Sequence, residues 1–184
     1  MDFSFADAGQ GVIAWQDQRG QSHLVRTDPV DTDYRGISGT SGDDVLFGSD
    51  RSSVLFGGDG GNDILVGGRS SDILVATLRS GGTVEMEGNG GADLFVLVKS
   101  HDVSTVDGHL EAIAKVTDFN RAEGDKIVMV GFDAENDPPM IGKVDNHNHQ
   151  SVNFADGLTV VFDLSFIREI DMNFSLRMSD FEKV

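Results

Sequence analysis

With 184 residues the chain is long enough for one domain with a sizeable core. Its 31 Asp and Glu against 14 Lys and Arg give a formal charge of -17, which repels nucleic acid and anionic membrane and favours cations. There is no cysteine, which excludes disulfides and thiolate metal sites. No apolar run reaches the roughly 18 residues that a membrane-spanning helix needs.

Met1 opens directly onto Asp2-Phe-Ser-Phe5, without the basic region or apolar core of a secretory signal. Residues 1–35 read as short strands. Val12-Ile-Ala-Trp15 and His23-Leu-Val25 flank a polar stretch with one glycine, a pattern that predicts a hairpin. This hairpin is expected to cap the apolar end of the coil formed by the next sixty residues. Trp15 has two readings, a core residue of a strand or a platform for stacking a sugar. Asp28-Pro29 marks a turn.

From Gly39 to Leu97 one short unit recurs. Gly39-Thr-Ser-Gly-Asp-Asp-Val-Leu-Phe47 is followed by Gly48-Ser-Asp-Arg-Ser-Ser-Val-Leu-Phe56, then Gly58-Asp-Gly-Gly-Asn-Asp-Ile-Leu-Val66 and Gly67-Gly-Arg-Ser-Ser-Asp-Ile-Leu-Val75. A degenerate stretch around Thr83 and Val84 precedes Gly88-Asn-Gly-Gly-Ala-Asp-Leu-Phe-Val96. The central apolar residues Leu46, Leu55, Leu65, Leu74, Val84 and Phe95 are spaced 9, 10, 9, 10 and 11 apart. The glycine half of each unit reverses the chain, and the apolar half is a strand whose middle side chain points to one face. Alternating turns and strands wind into a flattened coil of two short parallel sheets, with the middle residues inside and the carboxylates stacked along the turns.

A column of bare Asp charges is unstable. Hard oxygen ligands from Asp44, Asp63, Asp72 and Asp93, joined by carbonyls of the glycine turns at Gly39, Gly42, Gly61, Gly88 and Gly91, are what Ca²⁺ selects. Like turns recur two units apart, so Asp44 is expected to share an ion with the turn of Asp63, and Asp72 with the turn of Asp93. Asp50 and Asp59 lie inside turns as further ligands. Ser53 is neutral and predicts a weaker turn. The alternative is a set of Gly-Asp surface turns joining ordinary strands, and the recurrence in register argues against it.

These units resemble the RTX, or haemolysin-type, calcium-binding repeats, G-G-x-G-x-D-x-U-x with U a large apolar residue. The ending Gly90-Gly91-Ala92-Asp93-Leu94-Phe95-Val96, with Val116-Thr-Asp-Phe119 and Gly124-Asp-Lys-Ile127, is similar to the close of the repeat block in serralysin proteases and in the R modules of alginate epimerases. The resemblance implies an all-β fold, a parallel β-roll wrapped by N- and C-terminal antiparallel strands. It implies a module of a larger parent protein, secreted to the extracellular space by type I machinery that reads the C-terminal end. It also implies that Asp118 completes the last calcium site, with Asp125 a further candidate. Ser53 in place of Asp, and Arg51 and Ser70 in place of turn glycines, depart from the pattern.

Residues 98–184 form a C-terminal capping region of the same single domain, after the N-terminal cap of 1–35 and the repeats of 36–97. Leu110, Ile113 and Val116 suit one face of a short helix or an irregular strand. Lys126-Ile-Val-Met-Val130 reads as a strand, and 131–150 as a long loop in which His147 and His149 could hold a transition metal. Val152 and Phe154, the Asp156-Gly157 turn and Leu158 to Phe162 read as a hairpin. The stretch Leu164 to Ile170 is ambiguous, and Phe174, Leu176 and Met178 alternate like a half-buried strand. The outward neighbours Val45, Phe47, Val54, Phe56, Ile64, Val66, Ile73 and Val75 need a cover, for which the candidates are the hairpin around Trp15 and the strands around Phe154, Val160, Phe174 and Leu176.

No H-E-x-x-H, G-x-S-x-G, P-loop or cysteine nucleophile is present. The leading expectation is a non-catalytic calcium-binding module that aids folding and secretion of its parent. The alternatives are a polysaccharide-binding module, with Arg51, Arg69 and Arg79 facing a polyuronate, and a small metal-dependent enzyme built on His147 and His149.

Overall fold

The computed structural model describes residues 2–4, 12–16, 22–26, 35–79, 82–99, 110–131, 139–154, 158–165, 167, 176–177 and 181–182. Its strands, in chain order, are β1 Asp2–Ser4, β2 Val12–Gln16, β3 Ser22–Arg26, β4 Arg35–Ser38, β5 Val45–Phe47, β6 Ser53–Phe56, β7 Asp63–Val66 and β8 Ile73–Leu78. They continue as β9 Thr83–Glu87, β10 Leu94–Lys99, β11 Leu110–Val116, β12 Lys126–Val130, β13 Met140–Ile141, β14 His149–Asn153, β15 Leu158–Asp163 and β16 Phe181–Glu182.

From β4 to β13, successive strands alternate between two sheets, so the chain coils. One sheet has the order β4-β6-β8-β10-β12-β16 and is parallel throughout. The other has the order β5-β7-β9-β11-β15-β14-β13, parallel as far as β15 and antiparallel beyond it. The molecule is an all-β parallel β-roll. Register follows the repeat: Leu46 lies opposite Leu65, Leu55 opposite Leu74, and Leu74 opposite Phe95. Leu55, Leu65, Leu74 and Phe95 are fully buried between the sheets with Met86, Phe162 and Ile127.

The C-terminal strands extend this coil. The hairpin of β14 and β15 is where the sequence places it, and its turn residues 155–157 lie outside the described residues. Phe154, Val160 and Leu176 belong to the core between the sheets, so they fill the inside of the roll and do not lie across its outer face. The stretch 110–116 is a strand, and its period of two corrects the expected face. Ala112, Ala114 and Val116 point inward, while Ile113 points out and is 37% exposed. Ser165 and Ile167 have helical backbone. Phe174 and Met178 lie outside the described residues, as do Asp28-Pro29 and the side chain of Trp15. The expected N-terminal hairpin is β2 with β3, joined by β1 into a separate antiparallel sheet.

The outer faces of the two coil sheets differ. Phe56, Val75, Val96 and Val128 belong to a second buried cluster, made of the outward side chains of β6, β8, β10 and β12. On the other sheet Val45 is 56% exposed, Phe47 64% and Ile64 39%. The outward side chains are therefore buried on one face and exposed at the edge of the other, and the burial does not come from Phe154, Val160 or Leu176. Phe56→Ser should destabilise the chain by about 3 kcal/mol, whereas Phe47→Ser should change stability by no more than about 0.5 kcal/mol. Urea unfolding of the two variants checks this, and equal losses would contradict the difference in burial.

Candidate metal centre

The turns of the coil stack along two edges. Turns 39–44 and 57–63 lie on one, and turns 48–53, 67–72, 88–93 and 117–125 on the other, because each strand is followed by one on the opposite sheet. The Asp of each unit stands at the start of its strand, folded back against the first glycine of its own turn. A Cβ on Gly57 would lie 2.5 Å from Asp63 Oδ2, and one on Gly67 2.7 Å from Asp72 Oδ2. Only glycine leaves this space.

The carboxylates also link neighbouring turns. The amide of Asp44 donates to Asp63 Oδ1 (3.1 Å), that of Asp72 to Asp93 Oδ1 (2.8 Å), and that of Asp93 to Asp125 Oδ1 (2.9 Å). Ser53 continues the second column, its amide donating to Asp72 Oδ1 at 2.6 Å. The pairings of Asp44 with Asp63 and of Asp72 with Asp93 are thus the spatial neighbours that the repeat predicts. Asp125 is a full member of the column, which its place outside the repeat obscures.

These groups are buried: Asp63 is 5% exposed, Asp72 1%, Asp93 2% and Asp125 4%. Burial pushes the carboxyl of Asp93 up from 3.8 to about 8, with Asp125, Asp72 and Asp118 adding repulsion. Burial likewise lifts Asp63 and Asp125 to about 6, and raises Asp72 and Asp118. Glu87 is raised by burial and by the charges of Asp118 and Glu85. Nothing in the repeat singles out Glu87. Among the described residues no cation forms an ion pair with Asp63, Asp72, Asp93 or Asp125.

Other expected ligands stand apart. Asp50 is exposed, 3.8 Å from the Nε of Arg69. Asp59 is half-buried, and its amide donates to the Thr40 carbonyl at 3.1 Å. A Cβ on Gly42 would meet nothing closer than 3.8 Å, whereas Gly61 and Gly91 take positive φ and pack on the backbone of the preceding turn. Asp118 accepts from the amides of Gly88 and Asn89. Among the described residues no three His, Cys, Asp or Glu side chains gather closely enough to hold a metal ion alone. An ion at these turns would need main-chain carbonyls and water as well.

The histidine loop has a local explanation. Asp145 Oδ1 accepts from the amides of His147 and His149, each at 2.8 Å, which fixes the turn through Asn148 at φ 62°. These bonds hold the Asp145 carboxyl below its ordinary range. Arg51 and Arg69 lie on one edge of the coil and Arg79 packs near Gly60 on the other, so they form no single cationic strip. No helix among the described residues is long and apolar enough to cross a membrane.

No known protein family and no curated protein matches the sequence. Among solved structures the chain is similar to the solution structure of the AlgE6R3 subunit from the Azotobacter vinelandii mannuronan C5-epimerase. The identity is 19% and the TM-score 0.45, over 78% of this chain and 80% of that one.

Proposed function

We propose that the chain is a non-catalytic module of the RTX type that folds around calcium. One observation carries this reading: carboxylates buried along the turns, whose charged neighbours are other carboxylates. Burying unpaired charge costs several kcal/mol, and a hard divalent cation removes that cost by using the same oxygens as ligands. Ca²⁺, when bound, supplies the counter-charge. The chain supplies the Asp oxygens, the glycine turns that let them fold back, and amide donors that orient them. On this reading the chain works outside the cell within a larger secreted protein, where calcium is plentiful enough to fill sites with Kd on the order of 10⁻⁴ to 10⁻³ M. Binding to a polyuronate ranks second, because the arginines are divided between the two edges.

Thermal unfolding followed by circular dichroism, in EGTA and in excess calcium, tests the proposal. Each site held at ten times its Kd adds about 1.4 kcal/mol, so two sites should raise Tm by about 6–12 °C. An unchanged spectrum and Tm would overturn it.

A further inference from the structure

The first rung of the coil leaves both sheets open: β4 ends one of them and β5 the other. In a parallel ladder the main-chain groups of alternate residues point to opposite sides of the strand. The amides of Arg35 and Gly39 donate to the carbonyls of Ser52 and Phe56 on the β6 side. The Asp44 carbonyl and the Gly48 amide bond to Ile64 and Val66 on the β7 side. The main-chain groups of Gly36, Ser38, Val45 and Phe47 therefore point away from the coil, and among the described residues no strand takes them. Side chains at this end are open as well. Val45 is 56% exposed and Phe47 64%, and Ile37 and Leu46, which point inward, are only partly buried. A bare edge of this kind is a template for another strand.

We propose that the first rung is a self-association edge, at which two copies join head to head about a two-fold axis, β4 of each pairing antiparallel with β5 of the other. Because β5 lies half a turn further along the coil than β4, pairing like strand with like would join one sheet and leave the other apart. Crossing β4 to the partner's β5 joins both, and the two contacts are identical, as a two-fold axis requires. The free groups fix the register. Gly36 exchanges hydrogen bonds with the partner's Phe47, and Ser38 with the partner's Val45. That sets Ile37 opposite the partner's Leu46 on the inner side, so the buried stripe of each coil runs into that of the other. Arg35 falls opposite the partner's Gly48, two residues from its exposed Asp50, which places opposite charges together at that rim. At the other rim the two 39–44 turns meet, with Asp43 and Asp44 of each copy, so association should tighten as salt screens them. None of this rests on the calcium reading.

Analytical ultracentrifugation of the full chain tests it, with folding checked by circular dichroism. At a chain concentration on the order of 10⁻⁴ M, in about 0.15 M salt and about 10 mM calcium, the chain should sediment as a dimer. Phe47→Lys sets a second cation beside the partner's Arg35 and should weaken the dimer at least about tenfold. Ser38→Pro removes only an outward N–H and should weaken it comparably. Met140→Lys, on the edge strand β13 at the far end of the sheet and 66% exposed, should leave it intact. The chain has no cysteine, so Ser38→Cys combined with Val45→Cys should give a covalent dimer on oxidation. Neither single variant should crosslink, because each new thiol faces the other position in the partner. A folded monomer would overturn the proposal and leave the edge to the hairpin of β2 and β3 or to another protein. A dimer untouched by Phe47→Lys and Ser38→Pro, or a crosslink in either single variant, would overturn it too.

Discussion

Stripped of divalent ions by EDTA, the chain should melt at a higher temperature at about pH 5.5 than at about pH 8. Asp93 titrates at about 8 in the folded chain, and Asp63 and Asp125 at about 6, against an ordinary 3.8. Between 3.8 and these raised values the folded state binds more protons than the unfolded state, so stability falls as pH rises through that window. The loss should reach at least about 2 kcal/mol, or about 4–8 °C in Tm. Calcium competes with protons for the same oxygens, so its binding strengthens as pH rises. In about 10 mM calcium, above a Kd of order 10⁻³ M, the order of the two melting temperatures should therefore invert. Scanning calorimetry at both pH values, with and without calcium, reads all four states. A metal-free chain more stable at the higher pH would show that these carboxylates are not desolvated as the structure places them.

Gly58→Ala should be among the most damaging single methyls added to the coil. Gly58 has φ +113°, and a Cβ there would lie 1.7 Å from the carbonyl oxygen of Thr40, in the turn stacked beneath. Neither the strain nor the clash can be relieved by a side-chain rotation, because the opposing atom is backbone. The cost should exceed about 3 kcal/mol, since the turns must separate to admit the methyl. Gly42→Ala is the matched control. Its nearest neighbour would be 3.8 Å away, and its φ is unremarkable, so restricting the unfolded chain should leave stability unchanged or raise it by about 0.4–1 kcal/mol. Chemical denaturation distinguishes the two, and comparable losses would mean that the turns do not stack as closely as these distances require.

The inward stripe was legible from spacing alone. Leu55, Leu65, Leu74 and Phe95 are buried as their recurrence requires, and the neighbour relation of Asp72 with Asp93 follows from the same count. The outer faces were not legible. Val45-Leu46-Phe47 and Val54-Leu55-Phe56 are the same tripeptide, yet Phe47 is 64% exposed and Phe56 5%. What separates them is the sheet each joins and the place in it, β5 at an edge and β6 between β4 and β8, and neither is written in the tripeptide. The role of Asp118 was hidden for a related reason: it takes hydrogen bonds that in other turns belong to the local Asp, and nothing near Gly88 announces the exchange. The short inward residues Ala112 and Ala114 carry too little hydrophobicity to outweigh Ile113 in a pattern search, although Ile113 is the one that faces out.

The spacing of the rungs also governs how the molecule comes together. The early turns are joined through carboxylate bonds 19 or 21 residues apart, so each new turn closes a short loop on the one before it. Loop closure of that size is entropically mild, and every turn meets only its neighbours. Order can therefore spread from turn to turn like a zip. β15 and β16 break this economy, because they pair with β11 and β12 across much longer stretches of chain. Growth is local along the first rungs and halts where the far end of the chain must return, and a fault in one early turn stops the zip at that turn.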